Sequence, residues 1–325
     1  MAAVHGYEAP VLPYDGWHGY PSGEAACAVI ALAPSQVAMA EFLSLHPGTD
    51  QRLTHPVSVF LIKSATGRIA LFDLGLSEKW TSTVPQEKLD WYEARFGVTV
   101  LAELDEVLAA RGVDANQVET VVLSHHHFDH IGDISLFPSA EIIVGPATRE
   151  HIKALEGHPR VKELSWHHSP TRIASFEHSY DVFSDRSFLL VSTPGHTAGH
   201  LSALVRTSSP SAPDKPHGEY VLLAADCCHH PLVARADSPP NEPRYRMGCW
   251  RETGESLAEP PKHSMHEDYV LAELSLERVK AAGRRDDIMV VLAHDFEQWE
   301  RWGGKEVFVK GVKLNDWKEK GMKRA

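Results

Sequence analysis

The sequence predicts an α/β or α+β fold in which β-sheets are covered by helices, and two patterns predict it. Short runs rich in β-branched and aromatic residues recur along the chain, and two stretches between them carry apolar residues at helical spacing. The composition agrees, because 43% hydrophobic and 23% charged residues in a chain of 325 are ordinary for a globular protein.

The predicted strands are short apolar runs bounded by polar or turn-forming residues. In chain order they cover residues 27–32, 57–62, 68–72, 120–123, 141–144, 187–191, 201–205, 220–224 and 287–293. The predicted helices cover 99–112 and 266–283, and each ends at a glycine, a residue that favours helix termination.

Two segments, 76–97 and 229–265, have no clear period. We expect one domain over residues 1–325, with these segments as lids or insertions, although a plain surface excursion is the alternative for the second. Its side chains suited to covering a site are Arg244, Tyr245, Arg246, Met247 and Trp250. For the C-terminal segment 296–325, helix packing against the domain is the expectation and a homodimer contact is the alternative.

The charge balance bears on the partners of the protein. Asp and Glu (44) outnumber Lys and Arg (32), and the formal net charge is -12, which argues against a nucleic-acid partner. Residues 1–30 lack a secretory signal pattern, and no window approaches the ~18 consecutive apolar residues of a membrane span. The four cysteines are too few for a dense disulfide framework. We therefore expect a soluble cytoplasmic protein with no membrane partner.

The stretch VVLSHHHFDHIGD, residues 121–133, concentrates histidines and aspartates directly after a predicted strand. Alternate residues leaving a strand point to the same side, so His125 and His127 are placed to share one cation while His126 points elsewhere. Asp129 and His130 follow where the chain turns and are placed to serve a neighbouring cation. A solvated loop with incidental histidines is the alternative.

Other predicted strands also end in histidine or aspartate. The stretch LLVSTPGHTAGH supplies His196 and His200, YVLLAAD ends in Asp226, and IMVVLAHD ends in His294 and Asp295. Strand ends that meet at one edge of a sheet are common places for binding sites. The sequence therefore predicts a metal site assembled from distant segments.

The chain resembles the metallo-β-lactamase-fold hydrolase superfamily in the motifs LFDLG, SHHHFDH, TPGHTAGH, AAD and LAHD, in this order. The resemblance implies a four-layer αββα sandwich of two mixed sheets with a dinuclear metal site at one edge. It implies one metal held by His125, His127 and His196, another held by Asp129, His130 and His294, and Asp226 bridging the two. It also places Asp73 just outside the ligands and gives Gly75 a tight turn.

The ligand types independently favour zinc, with iron, manganese or cobalt as alternatives, because imidazole and carboxylate without thiolate suit a catalytic site. The resemblance implies two such ions. Such a site leaves a surplus of positive charge and favours a hydroxide between the metals as the nucleophile. Asp129 is then the expected carrier of the proton to the leaving group. Cys227 and Cys228 are not needed as nucleophiles and are interpreted as small buried hydrophobes.

The expected enzyme is a dinuclear zinc hydrolase that acts on a small-molecule ester, most similar to the lactonases that open acyl-homoserine lactones. In those enzymes a tyrosine commonly lies three residues beyond the bridging aspartate, where this chain has His229. Either His229 or Tyr245 is expected to contact the substrate carbonyl. The residues expected to line an acyl pocket are Trp91, Tyr92, Met247 and Trp250.

Several alternatives share the fold. A thioesterase of the glyoxalase II or polyketide-releasing type has the same ligand set. A nuclease is disfavoured by the acidic charge, and a β-lactamase by the missing export signal. An oxidoreductase of this superfamily usually has glutamate where this chain has His127. A metal-binding protein without turnover is the alternative outside the enzymes.

Overall fold

The computed structural model describes residues 16–166, 171–210, 216–235, 245–250, 255–256 and 259–324. The strands are β1 Ala28–Ala40, β2 Leu45–His46, β3 Arg52–Lys63, β4 Ile69–Phe72, β5 Gly97–Val100, β6 Thr120–Leu123, β7 Glu141–Val144, β8 Val161–Glu163, β9 Ser179–Asp181, β10 Phe188–Ser192, β11 Leu201–Ser208, β12 Glu219–Ala225, β13 Arg246–Met247, β14 Cys249–Trp250, β15 His263–Ser264, β16 Ile288–Leu292 and β17 Val312–Lys313. The helices are α1 Glu41–Ser44, α2 Gln86–Arg95, α3 Leu104–Ala109, α4 Phe128–Ile131, α5 Tyr269–Gly283, α6 Phe296–Trp302 and α7 Lys305–Phe308.

Two mixed sheets form the centre of the fold. The first has the order β17-β1-β3-β4-β6-β7-β8, with β5 also paired to β1, and its strands β4, β6, β7 and β8 are parallel. The second has the order β16-β12-β11-β10-β9, and only β12 and β16 are parallel in it. Two further pairs, β2 with β13 and β14 with β15, lie outside these sheets.

Helices cover both outer faces of the paired sheets. Side chains of the two sheets meet in one buried core that includes Phe60 and Phe72 from the first sheet and Phe188 from the second. The outer face of the first sheet packs with Val107 of α3, and the outer face of the second packs with Leu276 of α5. The predicted four-layer αββα sandwich is therefore confirmed.

The parallel pairs bring polar strand ends together. In the first sheet Phe72 of β4 is in register with Val122 of β6, so Asp73 and the residues after Leu123 leave the sheet side by side. In the second sheet Ala225 of β12 pairs with Leu292 of β16, just before the next strand-end residues. The strands thus deliver separate segments to one edge of the sandwich.

All the predicted strands are present; β6 and β7 have the predicted bounds, and the others are shifted at one or both ends. The predicted helix 266–283 is confirmed as α5, but the prediction for 99–112 is correct only at α3. Thr99 and Val100 instead lie in β5 and pair with Gln36 and Ser35 of β1. The cause is local, because β-branched residues favour the edge of an available strand over the first turn of a helix.

The segment 76–97, which has no clear period in the sequence, contains α2 and a 3₁₀ turn at Trp80–Ser82. The described part of 229–265 forms β13, β14 and β15, while residues 236–244, 251–254 and 257–258 lie outside the described residues. The C-terminal segment packs against the domain through α6, α7 and β17. Within the described ranges, no helix combines the length and the apolar character needed to cross a bilayer.

Candidate metal centre

The loop after β6 contributes the largest number of polar side chains to the site. His125 and His127 follow β6 directly, and α4 carries Asp129 and His130 one short turn later. His125 and His130 are fully buried, and Asp129 is 6% exposed. A loop that buries this many ionisable groups needs partners for them from other segments.

The first group of convergent atoms belongs to His125, His127, His196 and Asp226. His196 Nε2 lies 3.1 Å from His125 Nε2 and 2.9 Å from His127 Nδ1. Asp226 Oδ2 lies 3.5 Å from the same His196 nitrogen and 3.7 Å from His125 Nε2. Three imidazole nitrogens and one carboxylate oxygen therefore face a common centre.

The second group consists of Asp129, His130 and His294. Asp129 Oδ2 lies 3.4 Å from His294 Nε2 and 3.8 Å from His130 Nε2. Asp226 Oδ2 is within reach here too, at 3.3 Å from His130 Nε2 and 3.4 Å from His294 Nε2. The Asp226 carboxylate thus lies between the two groups.

These distances fit cation ligands better than hydrogen bonds. A tetrahedral zinc site with bonds near 2.0–2.1 Å places its ligand atoms about 3.3 Å apart, which matches the separations in both groups. Among the described residues, His130 Nε2 and Asp226 Oδ1 are buried without a hydrogen-bond partner. Buried polar atoms are rarely left unpaired, so two such atoms on residues of these groups indicate a binding site. Nitrogen and oxygen donors without sulfur suit zinc in a catalytic setting.

The electrostatics differ between the groups. Burial lowers the pKa values of His125 and His196, and burial followed by the charge of His126 lowers that of His127 to about 3. Burial would also lower the pKa of His294, but Asp226 and Asp129 outweigh it and raise the value to about 10. The first group therefore offers neutral imidazoles, as metal ligation requires.

The carboxylates are ionised for the converse reason. Burial acts to raise the pKa of Asp226, but His130, His294 and His229 hold it well below its usual range. Burial likewise opposes ionisation of Asp129, yet His130 and His294 keep its pKa below the ordinary value. Two negative charges at the bottom of a buried site favour occupation by cations.

A further ring of contacts fixes the orientation of the ligands. Asp73 Oδ2 lies 2.8 Å from His130 Nδ1 and accepts a hydrogen bond from Ser124 Oγ at 2.8 Å, while its Oδ1 accepts from Ser124 N at 2.6 Å. His294 Nδ1 lies 3.0 Å from the carbonyl oxygen of Pro56. Such partners hold an imidazole in one tautomer and one orientation.

His200 has a supporting role at the backbone of Asp226. Its Nε2 accepts a hydrogen bond from Asp226 N at 3.1 Å, and its Nδ1 lies 3.0 Å from the carbonyl oxygen of Thr193. Both ring nitrogens are thus satisfied by protein atoms, and His200 positions Asp226 without facing the two groups.

A cavity of about 210 Å³ opens directly onto these groups. Its polar floor includes His127, Asp129, Asp226 and His294. Its apolar wall is formed by Val37, Met39, Trp91, Tyr92, Phe96 and Phe128. An apolar wall beside a few placed polar groups is the usual form of a small-molecule site.

Comparison with known proteins shows the family. The sequence model of the metallo-beta-lactamase superfamily matches residues 53–206. The protein called gamma-lactamase MBL2 of Gibberella moniliformis (strain M3125 / FGSC 7600) is 31% identical over 177 residues, which cover 49% of this chain and 70% of that protein. The chain belongs to the metallo-beta-lactamase superfamily. Its predicted membership is thereby confirmed.

Two further likenesses concern the length and the fold of the chain. The cytochrome P450 monooxygenase mpaDE of Penicillium brevicompactum is 31% identical over 298 residues, but the match covers 83% of this chain and only 32% of that protein, so the chain spans about a third of its length. A solved N-acyl homoserine lactone hydrolase with N-hexanoyl-L-homoserine at its metal centre has a TM-score of 0.61 and 20% identity, and covers 86% of this chain and 97% of its own. At that identity the likeness shows the fold.

Not every residue predicted for the metallo-beta-lactamase site lies at this cavity. Trp91, Tyr92 and His229 line it, whereas Tyr245 is exposed and lies away from its lining. Met247 is buried in the core beneath α5, and Trp250 stacks on His263, so neither of these forms the cavity wall.

The sequence reasoning missed His266. This residue is 6% exposed, lines the cavity and belongs to a third convergent set with His196 and His229. The sequence predicts His266 as the first residue of the helix 266–283, but the helix begins at Tyr269. The available signal was a histidine just before the helix N-cap residue Asp268, which is too common to indicate a site.

Proposed function

We propose that this protein is a metal-dependent hydrolase that opens a lactone or cleaves a related carboxylic ester. The observation that carries the proposal is the pair of ligand groups sharing Asp226 at the bottom of a cavity with an apolar wall. A site of this kind combines charge for a reacting carbonyl with space for the acyl part of a substrate.

The residues that would hold two zinc ions are the predicted ones. His125, His127 and His196 would hold one ion, Asp129, His130 and His294 the other, and Asp226 would contact both. When bound, such ions polarise a carbonyl oxygen and lower the pKa of water, which is the chemistry that ester hydrolysis needs.

Asp129 is proposed to carry the proton in the reaction. Its carboxylate lies at the cavity floor and is held in the ionised form, so it can accept a proton from the attacking water and pass it to the leaving oxygen. Its 3.4 Å separation from His294 Nε2 keeps this carboxylate in place. Tyr245 has no part in the proposal because its side chain is 43% exposed and lies off the cavity.

His229 is proposed to orient the substrate beside Asp226. Its Nε2 lies 3.1 Å from Asp226 Oδ2, and its side chain is 3% exposed at the cavity wall. Because its Nε2–H is engaged with Asp226, the ring offers Nδ1 as an acceptor to a donor group of the bound substrate, whereas the tyrosine of similar lactonases would contact the substrate carbonyl.

The apolar wall is proposed to bind the acyl or ring portion of the substrate. Tyr92 and Phe128 have ring centroids 4.6 Å apart, and Trp91 lies 5.3 Å from Tyr92, which makes one continuous aromatic surface. Engineered cavities of roughly 150 Å³ hold benzene, so this cavity is large enough for a ring or a short chain. The segments 76–97 and 229–265 both contribute to it, which supports their role as walls of the site.

A cyclic amide is the second candidate substrate, because the relative named gamma-lactamase shares 31% identity with this chain. A thioester is a third, since the same ligand groups suit any acyl compound with a carbonyl carbon open to attack. The two differ from a lactone only in the leaving atom, nitrogen or sulfur in place of oxygen.

One assay separates these candidates. The zinc-loaded protein is tested on lactones, linear esters, lactams, thioesters and phosphodiesters, before and after treatment with a chelator. We expect hydrolysis of a lactone or ester, loss of it with the chelator, and recovery on adding zinc. Two bound zinc ions without turnover of any of these bonds would contradict the hydrolase proposal.

A matched pair of variants tests the ligand assignment. His127→Ala removes a nitrogen that lies 2.9 Å from His196 Nε2, and is expected to lower both zinc content and turnover. His126→Ala changes the adjacent histidine, whose ring lies outside both ligand groups, and is expected to leave both unchanged. Equal effects of the two substitutions would contradict the assignment.

A further inference from the structure

The most informative group outside the two ligand sets is His266. Its Nδ1 lies 3.3 Å from His196 Nδ1, on the side of the His196 ring opposite Nε2, the atom that faces the metal centre. Its own Nε2 is buried and has no hydrogen-bond partner among the described residues. His266 therefore has one nitrogen engaged with the metal site and one left unsatisfied.

The loop that carries His266 is firmly fixed. Ser264 Oγ accepts a hydrogen bond from His266 N at 3.0 Å and donates one to His266 O at 2.9 Å. The next residue, Glu267, donates its N–H to the carbonyl oxygen of His196 at 3.1 Å, and its side chain accepts a hydrogen bond from Ala198 N at 2.8 Å. The two histidine-bearing loops are therefore held against each other independently of any ligand.

The proton positions follow from this geometry. An imidazole that uses Nε2 for a metal carries its hydrogen on Nδ1, so with a metal bound the Nδ1–H of His196 would donate toward His266 Nδ1. His266 must accept through Nδ1, and its own hydrogen then lies on Nε2. The unsatisfied atom of His266 is thus an N–H donor, set in a ring that forms part of the cavity wall.

A neighbouring histidine presents the complementary atom. Asp226 Oδ2 is an acceptor, so His229 Nε2–H donates to it at 3.1 Å, and His229 Nδ1 is left as a buried acceptor without a partner in the described chain. The ring centroids of His229 and His266 are 5.3 Å apart. One donor and one acceptor are therefore available on the same side of the metal centre.

Building on the proposed function, we propose that His266 is a substrate-binding residue whose Nε2–H donates a hydrogen bond to an oxygen of the bound acyl compound. This contact selects substrates that carry an acceptor oxygen beside the reacting carbonyl. The donor is set by the metal site itself, because occupation of the first ligand group fixes the His196 tautomer and hence that of His266.

Two substitutions separate the two nitrogens of His266. In His266→Asn, the side-chain oxygen takes the place of Nδ1 and can accept from His196, but nothing donates from the place of Nε2. In His266→Gln, the amide nitrogen reaches the place of Nε2, but the contact with His196 is lost. The probe is N-hexanoyl-L-homoserine, titrated calorimetrically into the zinc-loaded proteins, with zinc content measured in parallel.

We expect His266→Asn to keep its zinc and to bind the probe about tenfold more weakly, the effect of one lost hydrogen bond. His266→Gln is expected to keep most of the probe affinity and to bind zinc more weakly. Wild-type affinity of His266→Asn for the probe, or loss of its zinc, would overturn the proposal, because His266 would then have no role or only a supporting one.

A measurement on the unaltered protein covers the case in which the variants do not fold. In the zinc-loaded chain with ¹⁵N-labelled histidine, His266 is expected to be the Nε2–H tautomer, and its Nε2 resonance is expected to shift on adding the probe. The Nδ1–H tautomer, or no shift at saturating probe, would refute the inference. Absence of turnover on every bond tested, with this signature intact, would refute the hydrolase proposal alone.

Discussion

Replacing Asp73 by asparagine tests how far the second ligand group depends on a residue that is not a ligand. Asp73 is 1% exposed and its φ of 61° lies in the left-handed region, which asparagine also tolerates, so the backbone is expected to stay unchanged. The substitution keeps one oxygen for Ser124. In the unaltered protein Asp73 Oδ2 lies 2.8 Å from His130 Nδ1. The substitution puts an N–H₂ group in the place of this oxygen, facing His130 Nδ1.

Two donors then face each other, and His130 can avoid the conflict only by moving its hydrogen to Nε2, the nitrogen needed for the metal. Hydrogen bonds to charged groups contribute about 1.5–3 kcal/mol, and partners that orient a metal ligand are worth about 10–100-fold in affinity, or about 1.4–2.7 kcal/mol. The two magnitudes agree. We therefore expect the zinc ion held by the second ligand group to bind about 10–100-fold more weakly, while the other ion is unaffected.

Zinc competition against a chromophoric chelator measures this change in affinity. In the metal-free protein the melting temperature should fall by about 5 °C. The matched control is Asp133→Asn, which makes the same change at a nearby position where the carboxylate pairs with the exposed Lys79. The control should bind zinc like the unaltered protein. Tight binding of both ions by Asp73→Asn would refute the argument that Asp73 sets the His130 tautomer.

Three other perturbations follow from the structure. Burial raises the pKa of the Cys27 thiol to about 12 and all four cysteines are buried, so at pH 8 the native protein should not react with a thiol reagent until it is unfolded. Trp91 lines the cavity and is 38% exposed, so Trp91→Ala removes part of the substrate wall without opening the core. KM should rise several-fold while kcat and the melting temperature stay nearly constant, and a fall in kcat alone would contradict this. Gly195→Ala should destabilise the fold by about 3 kcal/mol or more, because the φ of Gly195 is +123° and a Cβ there would lie 2.1 Å from Ala272 N. Gly157→Ala, at a φ of +74° with open space around it, should cost only about 1 kcal/mol. Chemical unfolding measures both free energies.

The ligand groups show why much of the site could be predicted. Four of the candidate ligands lie close together in the sequence, namely His125, His127, Asp129 and His130. The strand β6 directly before them sets the direction of the first side chains. The short β-rich runs 120–123 and 141–144 match β6 and β7 at both ends. Where local pattern and tertiary packing favour the same structure, the sequence is sufficient.

In the segment 99–112, local pattern and tertiary packing favour different structures. The helical spacing predicted α3 correctly, but Thr99 and Val100 pair with the edge of β1 instead of starting the helix. No local pattern reveals whether such an edge is available. The same holds for Met247 and Tyr245, whose side-chain types suited the cavity but whose positions in the fold do not.

The sequence by itself determined the strand pattern, the donor atoms and the order in which they appear along the chain. Only the tertiary structure decided that Asp73 contacts His130 and that His266, 70 residues beyond His196, lies against it. The physical reason is that residue type and spacing govern local conformation, whereas contacts between distant segments depend on which loops the packed sheets and α5 bring together.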